Sequence, residues 1–227
     1  MDRALDALRA GNFVLVHDAP SRENEVDMVI VAESVAAKHV ATMRRDAGGL
    51  ICVALHPKIA GNFGLPYLTE IYENASSRFN VLLSTRPDDL PYDERSAFSL
   101  AVNHRRTFTG ITDIDRALTI RELSKLGAKA LNGSMQEEFG RNFRSPGHVP
   151  LLRAADGLLA ERKGHTEFVV TLAELAGITP VVAICEMLDA ETGKSLSLKA
   201  ANEYANENGL LCLKGEDIVQ AQGGEMR

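Results

Sequence analysis

Apolar positions along the chain recur at two spacings, and the switches between them mark out the elements. An amphipathic pattern over residues 2–10 stops at Gly11, and FVLVH (13–17) follows as a strand. DMVIVAE (27–33) reads as a second strand, residues 36–46 as a helix closed by Gly48-Gly49, and LICVALH (50–56) as a buried strand. Gly, Asn and Pro crowd 57–66, and 67–95 is weakly patterned, so the latter reads as mostly loop with a short strand or helix inside. AFSLAVNH (97–104) alternates as a strand. Thr112 with Asp115 has capping-box spacing, which starts a helix running to about 125.

Residues 127–142 are polar and punctuated by Gly, the pattern of a surface excursion, and SPGHV places His148 after a Pro-Gly turn. EFVVTLAELAG is a helical run ended by Gly177, PVVAICEML (180–188) is a strongly apolar strand, and the tail gives helix, strand and helix. Strands and helices interleave without a repeat or a linker. The expected fold is α/β of the α+β type: a single domain over 1–227, with a mixed β-sheet and helices packed around it in layers.

Composition narrows the partners. A net charge of −6 gives no general attraction to phosphate backbones or anionic lipid, so nucleic acid is not expected and an anionic ligand needs a local basic site. No apolar run approaches the roughly 20 residues that span a bilayer, and the first residues lack a signal-peptide pattern, so no membrane association and a cytoplasmic location are expected. Cys52, Cys185 and Cys212 are widely spaced among apolar neighbours and read as reduced core thiols.

The stretch SRENEVDM concentrates charge. In an extended backbone Glu23, Glu25 and Asp27 share a face. Two such charges about 7 Å apart repel by about 2.4 kcal/mol at an effective dielectric near 20, and by about 0.6 kcal/mol in water. A solvated acidic turn and a divalent cation such as Mg²⁺ in a cleft both fit that arithmetic. RKGHTE precedes an apolar helical run, which puts Gly164, His165 and Thr166 at a helix N-terminus with Arg162 and Lys163 beside them. Free N–H groups there suit a phosphate; an ordinary Thr166 cap is the alternative. RRTFTGIT (105–112) is a second basic, Thr-rich approach to a helix. Glu186 interrupts an apolar strand, where a carboxylate is either paired or raised in pKa and able to carry a proton.

In this order, RENEVD, DAGGLICVAL, HRRTFTGITDIDR, FRSPGHV, RKGHTE and ICEM closely resemble the 3,4-dihydroxy-2-butanone 4-phosphate synthases, over about residues 5 to 215. The resemblance implies a homodimeric enzyme of riboflavin biosynthesis. It would convert D-ribulose 5-phosphate to L-3,4-dihydroxybutan-2-one 4-phosphate and formate with Mg²⁺ or Mn²⁺, two ions per site. It also implies that Glu23 and His165 hold metal, and that Arg22, Glu23, Asp18, Asp27, Thr109, the Arg162–Lys163–Gly164–His165–Thr166 segment and Glu186 contact the substrate. His148 and Glu186 match the family's catalytic pair, with Glu25 in the same acidic loop. Val26 departs from a usual Gly and puts the loop backbone in doubt, and 127–142 is longer than in many relatives. No cysteine cluster of a fused GTP cyclohydrolase II domain is expected. A metal-dependent pentose phosphate isomerase or aldolase needs similar residues, and a nucleotide- or RNA-binding module is the non-enzymatic reading.

Overall fold

The structure, a computed structural model, describes residues 1–90, 93 and 95–224. The chain opens with α1 (Asp2–Arg9), β1 (Val14–His17), β2 (Val26–Val31), α2 (Ala37–Thr42) and β3 (Cys52–Leu55). Three helices follow, α3 (Pro57–Phe63), α4 (Leu68–Ala75) and α5 (Val81–Ser84), then β4 (Phe98–His104), α6 (Asp113–Ala130), α7 (Gln136–Asn142) and β5 (Phe143–Arg153). The last third holds α8 (His165–Leu175), β6 (Val181–Glu186), α9 (Leu198–Asn208), β7 (Cys212–Lys214) and α10 (Gly215–Gly224). The seven strands form one mixed sheet in the order β4-β5-β3-β6-β2-β1-β7, with β3–β5 and β1–β7 parallel and the other pairs antiparallel.

Both faces of the sheet are covered, which is why its central strands read as near-continuous apolar runs. Met28 and Ile30 of β2, Val53 of β3 and Ala183 of β6 pack against α2, α3, α6 and α9 on one side. Val29 and Val31, Ala54, and Val182 with Ile184 pack against α1, α8 and Ile218 of α10 on the other. By the two-residue period, Asp27 and Glu186 point to the α8 side. No helix among the described residues is long and apolar enough to cross a membrane.

Three stretches differ from the sequence expectation. Residues 57–66 contain α3: Pro57 stands in its first turn, where a missing N–H costs nothing, the His56 ring accepts the Lys58 N–H at 3.0 Å, and Gly64 closes it at a φ of 72°. The polar excursion at 127–142 is instead the end of α6 and all of α7, anchored by Phe139, whose ring lies 4.9 Å from Phe63 and 5.0 Å from Phe143. FRSPGHV lies within the span of β5, with a cis Ser145–Pro146 bond, but Ser145–His148 bulge out of the pairing, whose register steps from Val102↔Val149 to Asn103↔Arg144. The Thr112 cap forms as expected, its hydroxyl accepting the Asp115 N–H at 3.1 Å.

Candidate active site

The acidic stretch folds as a closed loop and not as an extended row. Asp18 follows β1, and its carboxylate accepts the backbone N–H of Glu23 at 2.9 Å and of Glu25 at 3.0 Å. Asn24 adopts a left-handed φ of 56°, tolerable for Asn, with its Oδ1 3.1 Å from His17 Nε2. Alternation therefore starts only at Val26. Glu25 turns away to accept the Ser195 hydroxyl. Val26 is fully buried in β2 with extended backbone, so the expected doubt about its conformation falls on Asn24 instead.

This loop and the strand face bring four predicted residues to the first turn of α8. His165 Nδ1 lies 3.1 Å from Glu23 Oε2, and its Nε2 lies 3.3 Å from the Glu25 carbonyl and 3.8 Å from Asp27 Oδ1. Arg22 Nη1 meets Glu23 Oε2 at 2.9 Å. Asp27 stands opposite Glu186 on the β2–β6 ladder. Burial, with Glu186, Glu23 and Glu25 adding and His165 opposing, lifts the Asp27 carboxyl to about 7. Burial disfavours a charged His165, but Asp27, Glu23 and Asp18 outweigh it and raise the ring to about 9. Burial likewise opposes ionisation of Glu23, which the His165 hydrogen bond and Arg22 overcome to hold it below the usual range.

These residues fit a divalent cation. Asp18, Glu23 and His165 offer ligand atoms within 4.8 Å of one another, and the buried Asp27 Oδ1 beside them has no hydrogen-bond partner among the described residues. Oxygen-rich donors around one imidazole match Mg²⁺ or Mn²⁺. Asp18 was placed by the sequence among the substrate contacts; the geometry sets it with Glu23 and His165 in the group that could hold a cation.

Glu186 is positioned by the glycine pair that ends the helix before β3. Its Oε2 accepts the Leu50 N–H at 2.8 Å, and a Cβ on Gly49 would fall 2.5 Å from that oxygen. Burial pushes its carboxyl up, partly offset by backbone N–H groups. Together with Arg22, Glu23, Asp27, Arg162 and His165 it lines a cavity of about 270 Å³. Arg162 folds back over Gly164, where a Cβ would meet its Nη1 at 2.3 Å, and is held from behind by the fully buried Glu167. Cys52 also faces the cavity, its thiol pushed far up by burial and by Glu186 and Asp27, which leaves it protonated.

Four predicted side chains lie elsewhere, the first being Glu25, a catalytic candidate, which is turned to Ser195. Lys163 lines a neighbouring cavity with Ala19, Pro20, Lys214 and Gly215. His148 is exposed on β5, its N–H donating to Asn103 Oδ1 at 2.8 Å and its Nδ1 3.1 Å from Asn103 Nδ2. Asn103 Nδ2 also donates to the Thr109 carbonyl at 3.4 Å, so His148 and Thr109 share one amide as scaffold, away from the lining of the Glu23 cavity. Sequence reasoning missed Asn103, Asn24, His17 and Asp93. An Asn inside an alternating strand was a readable signal for Asn103; Asp93 carried none.

A sequence profile for 3,4-dihydroxy-2-butanone 4-phosphate synthase matches residues 2–221. The chain belongs to that family. The synthase of Methanothermobacter thermautotrophicus is 51% identical over 221 residues, covering 97% of this chain and 95% of the relative. That of Archaeoglobus fulgidus is 52% identical over 220 residues, covering 96% and 92%. A solved synthase in complex with two magnesium ions superposes with a TM-score of 0.78 at 32% identity, covering 97% of this chain and 94% of that one. A cation-free synthase structure gives 0.79 at 30% identity, covering 100% and 98%. Membership in this synthase family makes the chain an enzyme and sets aside the isomerase, aldolase and RNA-binding readings.

Proposed function

We propose that this chain converts D-ribulose 5-phosphate to L-3,4-dihydroxybutan-2-one 4-phosphate and formate in the cytoplasm, as a homodimer using Mg²⁺ or Mn²⁺. The observation that carries this reading is the buried Asp27 Oδ1, without a hydrogen-bond partner among the described residues, close to Glu23 and His165 at a cavity that also presents Arg22, Arg95 and Arg162. Asp18, Glu23 and His165 are the residues that hold the cation. Bound there, it supplies Lewis-acid stabilisation of charge developing on neighbouring substrate oxygens.

The remaining roles belong to the chain's own groups. Arg22, Arg162 and the N–H groups at the start of α8 hold the phosphate, which positions the sugar from a point remote from the reacting carbons. Glu23 and Asp27 orient hydroxyls. The reaction needs a proton removed from C3 and later proton transfers of opposite sense, and two titratable groups in different environments suit that exchange. Glu186 has Oε2 occupied by the Leu50 N–H, which leaves Oε1 to take the proton. His148 is the second proton carrier, and its distance from the cavity lining gives dimerisation a chemical purpose. Phe108, Ile111 and Ile114 flank Thr109 and are 92%, 50% and 72% exposed. Burying that apolar surface against a second copy would carry His148 and Thr109 of one subunit toward the Glu23–His165 centre of the other.

The direct test is formate release from D-ribulose 5-phosphate with and without EDTA. Formate that depends on added Mg²⁺ or Mn²⁺ is the expected result; an isomerised pentose without formate overturns the reading.

A further inference from the structure

Two of the three guanidinium groups that line the cavity, those of Arg22 and Arg162, are already paired with one carboxylate that belongs to neither the acidic loop nor α8, while Arg95 pairs with Glu161. Arg22 Nη2 donates to Asp93 Oδ2 at 2.7 Å, and Arg162 Nε donates to the same oxygen at 2.8 Å, with Nη2 as a third donor. Asp93 lies in coil ahead of β4, and its side chain is 10% exposed at the cavity wall. One carboxylate oxygen thus sits where three charged N–H donors converge, the arrangement a phosphate oxygen requires. Neither arginine depends on Asp93 for anchorage. Arg162 has Glu167, which also accepts the Ala155 N–H, and Arg22 has Asp18 and Glu23.

We propose that Asp93 is a specificity-determining residue that occupies the anion site from within, so that a ligand gains Arg22 and Arg162 only by displacing a tethered carboxylate. This deepens the reading above and rests on it, because it takes those two arginines as the phosphate holders. A neutral sugar has no charge with which to displace Asp93, and a monoanion offers no more charge than Asp93 already supplies at high local concentration. A phosphate monoester brings close to two charges and three acceptor oxygens, enough to satisfy both guanidinium groups at once. Selectivity of this kind is built by penalising the wrong ligand, at the cost of some affinity for the right one. Burial disfavours the charged form of Asp93, but Arg162 and Arg22 outweigh it and hold the carboxyl below its usual range, so the competitor is ionised at neutral pH.

The test is calorimetric titration of the EDTA-treated full-length protein with inorganic phosphate and, separately, with acetate at pH 7.5. Asp93→Asn is expected to tighten phosphate binding by about tenfold or more and to narrow the preference for phosphate over acetate. Asp93→Ser serves as the second variant if the amide does not fold, with circular dichroism as the check on both. Arg162→Ala, made in the wild-type and Asp93→Asn backgrounds, locates the phosphate. If phosphate binding requires Arg162 but is unchanged or weaker in Asp93→Asn, the competitor role is wrong while the site stands. If Arg162→Ala leaves phosphate affinity unaltered in both backgrounds, the phosphate site itself is misplaced and the proposal falls with it.

Discussion

The Glu23–His165 centre and the His148–Asn103–Thr109 cluster are built on opposite principles. The first gathers Asp18, Glu23, Asp27 and Glu186 around one imidazole at the α8 N-terminus, mostly buried, with protonation states that depend on one another. The second is exposed and held by a single neutral amide that serves two backbone groups and a ring. Mutual charge shapes the first site, whose acids face the His165 ring and Arg22. The second presents His148 from a bulge of β5, held by the Asn103 amide, so that its chemistry would come from what is placed against it. The same chain therefore carries one cluster organised by charge and one organised by a neutral amide.

Perturbing the two clusters separately should widen that contrast. Glu23→Ala or His165→Ala is expected to lower kcat by 10³-fold or more and to abolish cation binding by calorimetry, with the far-ultraviolet circular dichroism unchanged. Glu186→Gln, which keeps shape but removes the proton site, is expected to cost about 10²–10³-fold in kcat with KM nearly unaltered. Asn103→Ala loosens His148 without touching the charged centre; a loss of about tenfold in kcat, with cation affinity retained, is the expected separation. Mixing inactive Glu23→Ala and His148→Ala chains, unfolded and refolded together, should restore about a quarter of wild-type activity if each site draws from two subunits. No recovery would place His148 and Glu23 in the same subunit's site.

The smallest effect concerns stability. His165 titrates near 9 in the folded protein against 6.5 for an ordinary histidine, so the folded state holds an extra proton between those values. Its stabilising contribution is complete below pH 6.5 and is lost as pH rises through 9. In EDTA, urea unfolding should show a loss of about 1–3 kcal/mol over that window, and His165→Gln should flatten the slope.

The two-sided burial of the sheet was legible because β2, β3 and β6 are near-continuous apolar runs, and Asp27 and Glu186 stood out as acids within them. The α8 start was legible from a Gly-His-Thr sequence ahead of an apolar helix. What stayed hidden depended on residues whose local signal contradicts their role: Pro57 begins a helix, and Pro146-Gly147 lies inside β5. The meeting of Glu23 with His165, 142 positions apart, followed from the family resemblance and not from spacing. Asp93 was invisible because an acid in a polar coil looks the same whether it faces water or two arginines.

Asp27 and Glu186 occupy facing positions on adjacent antiparallel strands. A slip of that pairing by one residue turns a strand's side chains over, sending an acid into the apolar layer beneath α6 while drawing Met28 or Cys185 to the cavity. Misregister and loss of chemistry are thus the same event. Selection for activity at this rung also guards the fold against its nearest topological error.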